Sequence, residues 1–158
     1  MNNITIRQIK KDEYIKLKDF LYEAIFIPEG VAKPSRDIIK NEDLQIYIKD
    51  FGKKDDNCLV ASDNGKIIGA CWTRIMNDYG HIDNNTPSLA ISLYKEYRGK
   101  GIGTKLIIEM LNLLKEKGYK KVSLSVQKVN YAFKLYKSLG FEIIAENNED
   151  YLMVYNIK

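Results

Sequence analysis

No apolar run in the 158-residue chain approaches the roughly 18–20 residues needed to cross a bilayer, so no membrane partner is expected. There is one histidine, His81, and two cysteines, Cys58 and Cys71, without metal-ligand spacing. A Cys/His zinc site would have too few partners, so no metal is expected. The cysteines fall in strand-like apolar runs and read as buried thiols in a reducing compartment. The opening "MNNITIRQIKKDEY" lacks an uninterrupted apolar segment and a small-residue cleavage site. That argues against a signal peptide and makes the cytoplasm the default expectation. Repeats, low-complexity tracts and a dividing linker are also missing, so residues 1–158 read as a single domain. The net charge of +4 is modest and the lysines are dispersed. Without a helix-turn-helix, finger or aromatic-basic signature, no nucleic acid is expected as partner, and a small anionic ligand fits the charge at least as well.

What is present alternates between two periods. "ITIRQI" has strand alternation, and from Asp12, a candidate cap, the apolar residues Tyr14, Leu17, Leu21 and Ile25 recur at helical spacing. Leu44, Tyr47, Ile48 and Phe51 suggest a second helical piece ending at Gly52. "NCLVAS" and "KIIGACWTRIM" flank Asn64-Gly65, the strongest short hairpin signal available. "PSLAISLY" reads as a strand, "TKLIIEMLNLLKEKG" as an amphipathic helix and "KVSLSVQ" as a strand. "NYAFKLYKSLG" reads as a helix capped by Asn130 and ended by Gly140, and "FEIIAE" and "YLMVYNI" as two last strands. A hairpin portion followed by β-α-β-α-β implies an α/β protein with a mixed sheet.

Between the "PSLAISLY" strand and its helix lies "YRGKGIG", with Gly99, Gly101 and Gly103 at alternate positions and the cations Arg98 and Lys100 among them. Strand, glycine loop, helix is a geometry that binds phosphate, because bare backbone approaches the ligand and the helix start supplies unsatisfied N–H donors. A tight turn with surface cations is the alternative, but each glycine there loses about 0.5–1 kcal/mol of chain entropy relative to alanine. A Walker loop would end Gly-Lys-Ser/Thr, whereas here Thr104 precedes Lys105. A dinucleotide loop would want a third glycine at Thr104 and an acidic residue about 20 positions on, where Lys117 to Lys121 stand.

"RGKGIG" instead resembles the Arg/Gln-x-x-Gly-x-Gly/Ala motif of the GNAT superfamily of acyl-CoA-dependent N-acetyltransferases, and "LAISLYKEY" is similar to the strand before it. "LSVQKVNYAFKLYKSLGF" resembles that family's second signature, with Asn130 at a helix start, Tyr136 within the helix, then Gly140-Phe141. Element order agrees from end to end. The resemblance implies a mixed, mostly antiparallel sheet of six to seven strands, its central strands splayed, flanked by about four helices. It implies acetyl-CoA as co-substrate, its diphosphate on the backbone of Arg98, Gly99, Lys100, Gly101, Ile102, Gly103 and Thr104. The pantetheine arm would pair with backbone groups of Ile91, Ser92 and Leu93, with Asn130 and Tyr136 adding contacts.

The implied chemistry is transfer of an acetyl group to a primary amine of a small molecule or protein by direct attack. The backbone N–H of Leu93 would polarise the thioester carbonyl, and Tyr136 would protonate the leaving sulfur, since an unperturbed phenol of pKa ~10 stays protonated at neutral pH. Core packing is the alternative for Tyr136, which shares a helical face with Val129, Ala132 and Phe133. Helix capping is the alternative for Asn130. Many relatives place a glutamate on the fourth strand near the positions of Ser88 and Leu89, neither of which can accept a proton from an ammonium. Tyr79, His81, Asp83 and Glu96 lie nearby off the motif, and no base is assigned. The resemblance places the acceptor between roughly Tyr22 and Tyr47 and the "ENNED" turn. A second copy of the chain is a partner the family allows, and a CoA-binding module without transfer is the competing function.

Overall fold

The computed structural model describes residues 3–158. Asn64 and Gly65 both adopt positive φ (50° and 87°), the geometry whose twist matches a two-residue hairpin, and they join β2 (Asn57–Asp63) to β3 (Lys66–Arg74). On one side β2 pairs with β1 (Ile4–Gln8), and on the other β3 pairs with β4 (Ser88–Leu93), all antiparallel. The second half contributes β5 (Lys121–Gln127), β6 (Glu142–Glu146) and β7 (Asp150–Asn156), giving one seven-stranded sheet in the order β1-β2-β3-β4-β5-β7-β6. Its one parallel pair is β4 with β5, so the sheet is mixed and mostly antiparallel, as expected.

Alternation divides the sheet into two faces. Leu59, Cys71, Leu89, Leu93, Val122, Leu124 and Met153 point to a core closed by α3 (Ile102–Glu116) and by Tyr136 of α4 (Ala132–Leu139). Leu106, Ile107, Met110 and Leu114 of α3 are fully buried there, the dry stripe that the sequence periodicity predicts. On the opposite face Leu17 and Phe20 of α1 (Leu17–Glu23) pack on Val60, Ala70 and Trp72. β6 is the outer strand, exposed along its length, with Ile143 and Ile144 facing solvent.

The N-terminal helices differ from the expected ones. The first begins as a 3-10 turn, Lys11–Lys16, because the Glu13 carboxylate accepts the Lys10 N–H at 2.8 Å, and it ends at Glu23, leaving Ile25 outside. Asp12 therefore lies inside the turn, not at its cap. The second piece is a 3-10 turn at Arg36–Lys40, then α2 (Glu42–Gln45) and a run of turns. Those turns are pinned to the end of β3. The Trp72 indole N–H donates to the Tyr47 carbonyl at 3.0 Å, and the Arg74 guanidinium donates to the carbonyls of Ile46 and Lys49 at 2.9 Å. Arg74 also makes a fully buried ion pair with Asp56 at 2.8 Å. α3 starts two residues earlier than the sequence pattern suggests, at Ile102.

Candidate active site

β4 and β5 are in register only at Ser88 and Ser123, where the Ser123 N–H donates to the Pro87 carbonyl at 3.0 Å. Beyond that point they separate. In an antiparallel ladder successive residues direct their backbone groups to opposite neighbours. The Tyr94 N–H reaches the Ile68 carbonyl of the β3 side at 3.0 Å. Leu93, Ile91 and Leu89 therefore turn theirs into the gap. Ser92 does not: it is paired with Ala70, and its hydroxyl donates to the Phe20 carbonyl of α1 at 2.7 Å. Of the three backbone positions expected to meet a pantetheine arm, Ile91 and Leu93 face the opening, and Ser92 faces β3 and α1.

The gap runs to the glycine loop. Gly99 and Gly101 hold φ of 74° and 84°, a left-handed backbone that side chains disfavour, and a Cβ at either would meet nothing within 4 Å. Conformation and an open surface, not crowding by the protein, are what require glycine. Gly101 precedes α3 with no side-chain cap, and the first intrahelical bond runs from the Lys105 N–H to the Gly101 carbonyl at 3.2 Å. The N–H groups of Ile102, Gly103 and Thr104 therefore lack helical partners at the positive end of a 15-residue helix. Ile102 buries its side chain in the core, anchoring this turn, and a Cβ added at Gly103 would lie 3.8 Å from the Ile91 side chain. An anionic diphosphate fits such a cradle.

Arg98 is folded back. Its Nε donates to the Leu93 carbonyl at 3.0 Å, and its guanidinium pairs with the Glu23 carboxylate at 3.0 Å, strapping the loop to the end of α1. Lys100 is exposed and has no ion-pair partner among the described residues. The unpaired charge at the cradle thus comes from Lys100.

Tyr136 is buried on the α3/α4 face, its ring 5.9 Å from Phe141, and its hydroxyl has no hydrogen bond among the described residues. Burial, with Cys71 nearby, pushes the phenol above its ordinary value, so it stays protonated. Packing and an available proton coexist there. The Asn130 side chain accepts the Ala132 N–H at 2.9 Å and donates to Gln127 at 3.1 Å, a turn just ahead of α4, whose cap position is Tyr131 and not Asn130 as expected. The expected acidic turn is exposed, and Glu146 is paired with Lys128 at 3.3 Å.

The structure adds a carboxylate that the sequence reading passed over. The Ser88 hydroxyl donates to Asp78 Oδ1 at 2.9 Å, and the Tyr47 hydroxyl donates to Oδ2 at 3.0 Å. Burial raises the carboxyl above its usual range, against the opposing pull of these two bonds. Gly80 lets this loop lie close: a Cβ there would meet the Ser125 backbone nitrogen at 3.2 Å and Asp78 Oδ2 at 3.3 Å. The Ser123 hydroxyl donates to the Gly80 carbonyl. Of the four nearby candidates, Tyr79, Asp83 and Glu96 are exposed, while His81 buries an Nδ1 without a partner among the described residues. No local pattern in "DYGHIDNNT" marks Asp78. Among the described residues no group of three or more His, Cys, Asp or Glu side chains is placed to hold a metal, and no helix is long and apolar enough to cross a membrane.

A splayed parallel pair running into a helix-opening glycine cradle is the arrangement that the motif resemblance predicts. Residues 19–141 match the model of the acetyltransferase (GNAT) family, and the chain belongs to that family. Among curated relatives it is 29% identical over 116 residues to mycothiol acetyltransferase of Thermobifida fusca, covering 70% of this chain and 36% of that one. The chain spans 36% to 66% of the length of the curated relatives it matches. Its fold is similar to PaiA N-acetyltransferase of Thermoplasma acidophilum, solved in complex with coenzyme A, with TM-score 0.72 and 22% identity over 98% of this chain and 99% of that one. It is also similar to the ribosomal-protein-S18-alanine N-acetyltransferase of Escherichia coli, with TM-score 0.69 and 18% identity over 98% and 94%.

Proposed function

We propose that this protein transfers an acetyl group from acetyl-CoA to a primary amine by direct attack. The reading is carried by one observation: the gap beyond Ser88 and Ser123 presents the backbone groups of Ile91 and the N–H of Leu93, whose carbonyl is held by Arg98, on the way to the cradle at Gly99–Thr104. Main-chain pairing suits a peptide-like pantetheine arm, and the helix start suits its diphosphate. The thioester supplies an activated acyl group. In this reading a gap-facing N–H of β4, that of Leu93 or of Ile91, polarises its carbonyl, and Tyr136 supplies a proton to the sulfur. The named relatives are a mycothiol acetyltransferase and a ribosomal-protein-S18-alanine N-acetyltransferase, and the acceptor here is an amine of a small molecule or a protein.

The test is calorimetric titration with acetyl-CoA, followed by a free-thiol assay across small amines and peptide N-termini. Binding together with amine-dependent thiol release is the expected result. Binding without release would leave a CoA-binding module, and absence of binding would refute the reading.

A further inference from the structure

The acetyl-transfer reading leaves the amine's proton without a destination, because β4 carries no carboxylate at Ser88 or Leu89. The geometry of the α1/α2 face supplies one. Ser88 is the last β4 residue in register with β5, and Ser125 lies just past that pairing on β5. The loop after β3 crosses beneath this junction, with Gly80 against the Ser125 backbone and Asp78 on Ser88. Tyr47, from the segment next to the expected acceptor region, holds the other carboxylate oxygen.

We infer that Asp78 is the catalytic base, taking the proton of the acceptor ammonium at the closed end of the β4/β5 gap. This rests on the acetyltransferase reading. Each carboxylate oxygen has two acceptor sites; Ser88 and Tyr47 use one apiece and the Gly80 and Asp78 backbone N–H groups approach the carboxylate as well, so an amine N–H shares it with them. Asp78 is half-buried, so it is held in place yet reachable. The other titratable groups around it are Tyr47 from the α2 side, with Asp43 beyond it, and Tyr79 and His81 in its own loop. β4 and β5 contribute only a hydroxyl and backbone.

The placement also separates two protons. Asp78 lies on the α1/α2 face of the sheet, and Tyr136 belongs to the core of the α3/α4 face. In the transfer Asp78 takes one proton of the ammonium and passes it to water, the freed nitrogen bonds to the carbonyl carbon, its next proton passes to Asp78, the carbon–sulfur bond breaks, and the thiolate takes the Tyr136 proton. Water then removes the proton from Asp78 and restores the one on Tyr136, so ammonium plus thioester become amide, thiol and one released proton. Removing the proton on one side while sulfur leaves on the other keeps the two from short-circuiting.

The experiment measures kcat/KM from about pH 4 to about pH 10 for wild type, Asp78→Asn and Ser88→Ala, with an amine that wild type acetylates. Thermal melting and acetyl-CoA affinity serve as controls. Asp78→Asn should reduce the rate by about 10²-fold or more near neutrality. The deficit should shrink about tenfold per pH unit as the neutral fraction of the amine rises. Ser88→Ala removes a hydrogen bond that favours the carboxylate, so its acid limb should move up by roughly half to one pH unit. A deficit of the same factor at every pH, no deficit, or an acid limb unmoved in Ser88→Ala would overturn the assignment. If Asp78→Asn does not fold, the Ser88→Ala limb decides alone. A wild type that binds acetyl-CoA and acetylates no amine defeats the parent reading, and this one with it.

Discussion

Replacing Gly101 by alanine separates the cradle's role in ligand binding from its role in the fold. With φ at 84°, any L side chain there is strained by about 1–2 kcal/mol, although the added Cβ meets no protein atom. For a chain of this size that strain lowers Tm by roughly 2–8 °C. The internal control is Gly118, at the far end of the same helix, with φ of 88° and equally open surroundings. Gly118→Ala should melt much like Gly101→Ala. The two should differ in acetyl-CoA affinity. At Gly101 either the backbone rotates away from the left-handed region, turning donors off the diphosphate, or the methyl occupies the space the diphosphate needs. Loss of a single charge-assisted hydrogen bond is worth about 1.5–3 kcal/mol, so Kd should rise roughly tenfold to a hundredfold in Gly101→Ala alone. Calorimetric titration of both variants reads this directly. A Gly101→Ala protein that binds acetyl-CoA within about twofold of Gly118→Ala would show that the loop is not the anion cradle.

Three further outcomes follow from the packing and charge. Tyr136→Phe removes a hydroxyl without a protein partner, so stability and acetyl-CoA affinity should hold while kcat falls; an unchanged kcat removes Tyr136 as the acid. Arg74→Leu strands the buried Asp56 carboxylate and should destabilise the fold by about 3–5 kcal/mol in urea unfolding, and a loss below about 1 kcal/mol would contradict the buried-pair argument. Arg7 grips the Glu13 carboxylate with two bonds of 2.8 Å and lowers its pKa from the usual 4.5 to about 2. A carboxylate lowered in the folded state stabilises above its unfolded pKa and loses that contribution as pH falls through the folded value. The stability advantage of wild type over Glu13→Gln should therefore be full above pH 4.5 and drain away towards pH 2, and an advantage independent of pH would refute it.

What could be read from the sequence was what local backbone chemistry decides. Asn64-Gly65 needs positive φ at both positions and forms the predicted hairpin. The glycines at 99 and 101 need it too, and the loop opens α3 as expected. The β4/β5 splay came through resemblance, not periodicity, since two apolar strands look alike whether paired or parted. Tyr47, Ile48 and Phe51 misled for a related reason: turns of nearly helical pitch bury the same spacing as a continuous helix. Side-chain directions set by distant partners stayed hidden. Arg98 bends back because Glu23, 75 residues earlier, lies at the end of α1, and Asp78 reaches its place through contacts with β4 and β5 that no short window contains.

The bare outer strand β6 has a consequence for self-association. Were two copies to zip together antiparallel along this border, centred on Ile144, Glu142 of each would stand opposite Glu146 of the other. Like charges set face to face oppose such a ladder, and the irregular register between Ile143 and Ala145 spoils its straightness. The border can therefore leave two isoleucines in water without becoming a template for fibrils.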